Sequence, residues 1–304
     1  MRNARPVLDL KRVLAGAQLP ALPQSAIRLL ELSHDPSNGP AEFAKPIEAD
    51  PGLTGQVLRF VNSSYFGFAR EISNVKLAIT LVGVRTIKNF ALWSAVFSLM
   101  PNPKCGSLDL KGLWQDSLRR ALFARLLGRL LGIKDAEEEF SAALLQDMAV
   151  PLLAKEASDL YAKLLTAREA GRFRLSYLEQ ELFGWNHAEA AGIMARQWNL
   201  PADFTALIEG HCAPEQWLSQ PEPTPGKFAV ALSALLPANA DAAWLDGPQC
   251  ESLYEKVRPA DGPQLVELLA QVDRGFEEFA PLLKLSTPTK SLVERYHEAM
   301  TPSS

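Results

Sequence analysis

An all-α, two-lobed helical bundle with a C-terminal helical extension is the fold class this sequence predicts, and three observations predict it. No sustained period-two alternation occurs, and no Asn-Gly or Asp-Gly pair separates two β-branched runs, so neither strands nor hairpins are indicated. Apolar residues recur at helical spacing along the chain, and most such stretches follow a capping residue or a proline. Two proline-bearing segments, PNPKCGSLDLKG at 101–112 and SQPEPTPG at 219–226, interrupt the helices. The first reads as a linker between lobes and the second as a flexible link, which sets expected units at 1–105, 106–216 and 217–304.

The first lobe opens with a helix behind Pro23 that carries Ile27 and Leu30, then a second behind Pro40 with Phe43 and Ile47 one turn apart. Asp50-Pro51 is a strong start. The carboxylate can accept orphan backbone N–H groups, and proline at the first helical position has no donor to lose. Leu53, Val57, Leu58 and Val61 then form a core-facing stripe. Ser73 precedes a short helix ending near Gly83, and 84–99 continues as a largely apolar one.

In the second lobe, 113–131 predicts a long leucine-rich helix and 136–147 a shorter one. Ser176 with Glu179, and Asn186 with Glu189, have the spacing of capping boxes. The latter introduces a helix with Ile193 and Trp198 on its apolar side, and Pro201 starts another that runs to about Gly210. The extension is expected to add helices near 227–236, 245–258, 263–284 and 289–299, with a loose STPTKS segment before the last. Leu265, Leu268, Leu269, Phe276 and Phe279 offer enough apolar surface that packing against the second lobe is favoured over a free lid.

The chain has 304 residues and is 47% hydrophobic, enough for a substantial core. Its formal charge of -4 gives no basic excess to steer nucleic acid. Arg119, Arg120 and Arg125 cluster without interleaved aromatics of the kind that bind bases, so a solvated helix face is expected there and nucleic acid is not an expected partner. Cys105, Cys212 and Cys250 are odd in number and widely spaced, which argues for a reducing compartment and against a disulfide scaffold. The longest apolar run, FALWSAVFSLM at 90–100, is too short to span a bilayer, and no leader-like segment opens the chain. A soluble cytoplasmic protein with no membrane contact is expected.

Chemistry is sparse. No GxGxxG, GxxxxGK[ST] or GxSxG pattern occurs, and His34, His187, His211 and His297 are the four histidines. Asp147 falls at a helix end, His187 opens a capped helix, His211 follows another, and Asp116 lies in the long helix near Trp114. Aspartate and histidine are reasonable ligands for a divalent ion that would activate water and orient a phosphate. Against this, Asp147 and His187 can cap helices and His211 can end one, and spacing alone favours that structural reading.

Several blocks in order resemble one family. LPALPQSAIRLLELSHDP at 19–36, IEADPGLTGQVLRFVNSSYFG at 47–67 and ISNVKLAITLVGVRTIKNFAL at 72–92 look like the HDOD domain. LWQDS at 113–117, FSAALLQDMA at 140–149, ELFGWNHAEAAGIMARQWNLP at 181–201 and IEGHC at 208–212 agree with it. The resemblance covers roughly 16–215 and leaves the last 90 or so residues unmatched. It implies a helical, signalling-associated module, HD-like in fold and related to the HD and HD-GYP phosphohydrolases. In catalytic relatives a first histidine, a His-Asp doublet and later histidines hold metal. Carried onto this chain, those positions fall at or beside Asp116, on Gln146-Asp147, and on His187 and His211. Glutamine at the doublet is a poor substitute for imidazole at a zinc- or iron-type centre, although Asp116 leaves a hard ion such as magnesium open.

The expected function is therefore a non-catalytic regulatory module that binds a signalling protein partner or a small ligand. No cofactor is expected beyond a vestigial divalent metal at Asp116, Asp147, His187 and His211. The alternative is a metal-dependent phosphohydrolase with an altered metal shell of those same four residues. Within the NSSYF corner, Asp50 and Pro51 are read as structural, with Asn62 ending its helix in the left-handed conformation. Asn62 and Tyr65 bordering a ligand or partner groove is the functional alternative.

Overall fold

The computed structural model describes residues 8–301 except positions 18, 20, 34, 36, 65, 135, 219–223 and 284. The described residues form helices and connecting turns, with no strand among them. The first lobe holds α1 (Leu10–Gly16), α2 (Gln24–Ser33), α3 (Pro40–Glu48), α4 (Pro51–Val61), α5 (Val75–Val82) and α6 (Val84–Leu99). Then come α7 (Leu110–Leu130), α8 (Glu137–Leu145), α9 (Ala149–Glu156), α10 (Ser158–Ala167), α11 (Leu175–Phe183), α12 (His187–Gln197), α13 (Ala202–Glu209) and α14 (Pro214–Leu218). The extension contributes α15 (Pro225–Ser233), α16 (Gly247–Glu255), α17 (Leu265–Phe279) and α18 (Leu292–Met300).

Local chemistry sets the starts in the first lobe. The Asp50 carboxylate accepts from the Leu53 amide at 3.0 Å, and its other oxygen accepts from the Ser25 hydroxyl at 3.0 Å, which ties α4 to α2. Asn74, not Ser73, caps α5 by accepting from the Leu77 amide at 2.8 Å. Gly83 adopts φ +99 between α5 and α6, a conformation a side chain would strain.

Asn62 ends α4, but at φ −83 and ψ 10 rather than in the left-handed region. Its side chain explains why no left-handed turn is needed. The amide donates to the Leu58 carbonyl at 2.9 Å and the Ile72 carbonyl at 2.8 Å, and accepts from the Ile72 amide at 2.7 Å. One side chain thus pins the segment after α4 to the segment before α5. Asn62→Ala is expected to cost about 1 kcal/mol, the net worth of bonds at a site still open to water. A chemical-denaturation midpoint unchanged from wild type would show that the pin is dispensable.

Neither α9 nor α10 has a polar start signal, because Met148 and Ala157 precede them and make no side-chain cap. Packing decides these two helices: Leu152, Leu153, Tyr161 and Leu164 are all buried. The expected Ser176–Glu179 capping box does not form. Helix α11 begins at Leu175 behind Arg174, two residues before a Ser176 cap would start it, and Glu179 is fully buried with other partners. The Asn186–Glu189 box does form at the start of α12.

Helix α7 is the central strut, flanked by α8, α15 and α17 and buried on nearly every side. Leu265, Leu268, Leu269, Phe276 and Phe279 of the extension are all buried. Phe279 stands 5.8 Å from Phe60 of α4 and 5.9 Å from Phe140 of α8, centroid to centroid. The extension therefore completes a core shared by both lobes.

Candidate functional site

A cavity of about 600 Å³ opens beside α7 and is walled by the second lobe and the extension. Asp116 and Arg120, one helical turn apart on α7, share the face that meets it. Asp147 enters from the turn after α8, His187 from the first position of α12, and His211 and Cys212 from the turn after α13. The far wall comes from the extension, including Asn239, Asp241 and Asp246.

The expected solvated face at Arg119, Arg120 and Arg125 is not observed. Arg119 and Arg125 are buried, and the Arg120 side chain is only 13% exposed. Arg119 donates to the Lys290 carbonyl at 2.5 Å and lies over the Phe276 ring, whereas Arg125 lies over Phe140. Arg120 turns into the cavity and pairs with Asp147 Oδ2. Burial on a strut surrounded by helices forces each guanidinium to find an internal partner.

Four of the sequence-predicted residues line this cavity, yet they split into two groups. Asp116 accepts from the Asn239 amide of the extension at 2.9 Å, and the charges acting on it are Arg120, Arg119 and Asp241. Burial dominates there and pushes its carboxyl up to about 7, against the pull of Arg120 and the Asn239 amide. The second group is tighter. Asp147 Oδ1 lies 3.3 Å from His187 Nε2 and 3.7 Å from His211 Nε2, and the two imidazole nitrogens are 3.2 Å apart. Burial opposes ionisation of Asp147, but Arg120 and then the two histidines outweigh it and hold the carboxyl well below its usual range.

Each imidazole is oriented from behind. Glu179 Oε2 accepts from the His187 backbone amide at 2.8 Å and lies 2.6 Å from His187 Nδ1. Its other oxygen accepts from the Tyr161 hydroxyl at 2.6 Å. His211 Nδ1 lies 2.7 Å from the Ile208 carbonyl. Both Nε2 atoms are thereby directed at one another. Glu179 has no signal in the sequence beyond a capping-box spacing, and that spacing pointed elsewhere.

Cys212 also belongs here although the sequence reading left it out. Its Sγ is 3.8 Å from His187 Nε2, and His187, His211 and Cys212 each place one donor atom within 4.8 Å of the others. Burial raises the thiol, but His211 and His187 outweigh it and bring it down to about 6. For His187, burial opposes protonation, while Glu179, Cys212 and Asp147 together hold the ring well above its usual range.

Gln146, at the doublet position, does not reach the cavity. It is fully buried, with Oε1 3.5 Å from the Ser233 hydroxyl of α15 and no hydrogen-bond partner for Nε2 among the described residues. The doublet pattern of metal ligation is thus not met by this chain's Gln146, and Asp116, at the first-histidine position, is bonded to the Asn239 amide. Two histidines, a thiol and a carboxylate are instead a donor set suited to a zinc-class ion. At the other corner, Asn62 lies away from this cavity with its amide committed to backbone, and Tyr65 lies outside the described residues.

Comparison with known proteins bears on the whole arrangement. The HDOD domain family model matches residues 19–214. An uncharacterized protein of Treponema pallidum (strain Nichols) is 23% identical over 242 residues, 79% of this chain, and the chain spans only 44% of that relative. A solved HDOD domain protein of unknown function from Geobacter sulfurreducens superposes with a TM-score of 0.71 at 20% identity, covering 91% of this chain and 97% of that one. A candidate signal transduction protein from Marinobacter aquaeolei VT8 gives 0.70 at 18% identity, over 93% of this chain and 68% of the other. A candidate phosphohydrolase from Shewanella amazonensis SB2B gives 0.62 at 20%, over 94% and 97%. At these identities the structures share the fold, and coverage of more than nine-tenths of this chain takes in much of the extension. With residues 19–214, well over half of its length, matched by the family model and an all-helical fold to go with it, this chain belongs to the HDOD domain family.

Proposed function

We propose that the chain is a non-catalytic regulatory module that acts in signal transduction by binding a protein partner or a small ligand. One observation carries this reading: the guanidinium of Arg120 is seated on Asp147, the carboxylate of the former doublet, while Gln146 faces the core. A hydrolytic centre needs that carboxylate and an open metal position for water. Here the carboxylate has an internal cation for one of its oxygens, and Asp116 is bonded to the Asn239 amide.

The signalling role takes support from the Marinobacter protein of the same fold. A nucleic-acid role finds little: Arg172 pairs with Glu169 at 3.0 Å and Arg174 with Asp246 at 2.8 Å, and Arg119 and Arg120 are withdrawn from the surface. Among the described residues no helix is long and apolar enough to cross a membrane.

The altered-shell phosphohydrolase is favoured by one fact, the convergence of Asp147, His187 and His211 on a wall of the cavity. Turnover of chromogenic phosphomonoester and phosphodiester substrates, with magnesium, manganese or zinc added, decides between the two. The regulatory reading expects no rate above that of Asp147→Ala. A rate that Asp147→Ala abolishes in a folded protein would establish the hydrolase instead.

A further inference from the structure

We propose that His187, His211 and Cys212 form a zinc-class metal site in which Cys212 supplies a thiolate ligand. The proposal goes beyond the regulatory reading and stands whether or not that reading holds.

Geometry is the first argument. Zinc held by imidazole at about 2.0–2.1 Å in a tetrahedral shell places two ligand nitrogens about 3.3 Å apart. His187 Nε2 and His211 Nε2 are 3.2 Å apart. With Nδ1 of each ring directed at Glu179 Oε2 and the Ile208 carbonyl, both Nε2 atoms converge on the same space. Two imidazole nitrogens facing at that distance need a proton or a cation between them. The Cys212 sulfur, 3.8 Å from His187 Nε2, faces that space from the third side.

The second argument is preorganisation. Ligand histidines in metal sites donate their other ring nitrogen to a carboxylate or a backbone carbonyl, and one of each is present here. The turn that carries both His211 and Cys212 is held from behind: Trp217 Nε1 donates to the Gly210 carbonyl at 3.1 Å. A Cβ at Gly210 would stand 2.4 Å from the Trp217 ring, so the close approach requires glycine.

Donor chemistry is the third. Two imidazoles and a thiolate select a borderline-soft ion such as zinc over magnesium, which takes oxygen ligands. Asp147 divides its carboxylate, with Oδ2 on Arg120 and Oδ1 toward the histidines, so it adds a negative charge beside the ion. Asp116 and Gln146 take no part.

The test uses the full chain, purified without chelator or affinity histidines. Elemental analysis after dialysis against zinc should find close to one equivalent, and the cobalt-substituted protein should show a thiolate-to-cobalt charge-transfer band. Cys212→Ser should lose that band and weaken zinc binding by about tenfold or more. Cys105→Ser and Cys250→Ser should retain both. Absence of stoichiometric zinc in the folded wild type would overturn the site. So would cobalt bound without a thiolate band, or Cys212→Ser with unchanged affinity. Should Cys212→Ser fail to fold, the wild-type cobalt spectrum and the two other cysteine variants still decide. All of these readouts are independent of substrate turnover.

Discussion

Replacing Arg120 by alanine should destabilise the protein by about 3–5 kcal/mol, the cost of leaving a buried charge without its partner. The Arg120 side chain is 13% exposed and that of Asp147 is 6% exposed, so water can do little to compensate either ion. The direction of both groups agrees. Burial works against charge on Arg120, yet Asp147, Asp116 and Asp241 outweigh it and raise its already high proton affinity, while Asp147 is held ionised by Arg120. Removing the guanidinium strands the Asp147 carboxylate and exposes Asp116 to uncompensated burial. The double variant Arg120→Ala/Asp147→Ala should therefore lose less than the two single losses added together, which is the signature of a coupled pair. Urea midpoints for the four proteins measure this. Strict additivity, or an Arg120→Ala loss below about 1 kcal/mol, would place the ion pair among the weak surface type.

Asp116→Asn should change how stability depends on pH. The folded carboxyl is pushed up to about 7, chiefly by burial, from an ordinary value of 3.8. A group raised on folding contributes stability that is fully present below its unfolded value and is lost as pH rises through its folded value. Wild type should thus lose this contribution between about pH 4 and pH 7, on the order of 4 kcal/mol for a group this buried. The asparagine variant carries no such charge and keeps an oxygen for the Asn239 amide. Its stability relative to wild type should climb across that window and level off near pH 8. Asp147 has the opposite sign: its carboxyl is lowered, so its contribution is present above the ordinary value and is lost only in acid. Thermal melts of wild type and Asp116→Asn from pH 4 to pH 8 test the claim, and parallel profiles would refute it.

Both predictions rest on a site that was only partly legible beforehand. Asp116, Asp147, His187 and His211 could be picked out because few histidines exist and ordered blocks placed them on matching helices. That Asp116 would side with the extension and the other three with one another could not be. Helix α7 turns Asp116 toward the Asn239 amide, a contact across 123 positions of sequence. Cys212 was visible only as the neighbour of His211. Glu179 carried a local signal that misled, since its carboxylate takes the His187 amide and ring instead of capping its own helix. Arg119 and Arg125 looked like surface charge because a sequence does not reveal that a helix will be enclosed on nearly every side.

What the sequence determined by itself is the set of properties that depend on near neighbours. The absence of strand alternation, the Asp50-Pro51 start, the Asn186–Glu189 box and the apolar face of α17 are all governed by residues within a few positions, and the all-helical fold follows from them. Tertiary structure alone decided where buried charges and donors met. Arg120 seated on Asp147, Gln146 turned to Ser233, and two imidazoles facing beside a thiol each join groups from separate helices. In a buried, low-dielectric setting most polar groups find a partner within about 3 Å, whatever its distance along the chain. That requirement, which acts only once the helices pack, fixes the chemistry of the site.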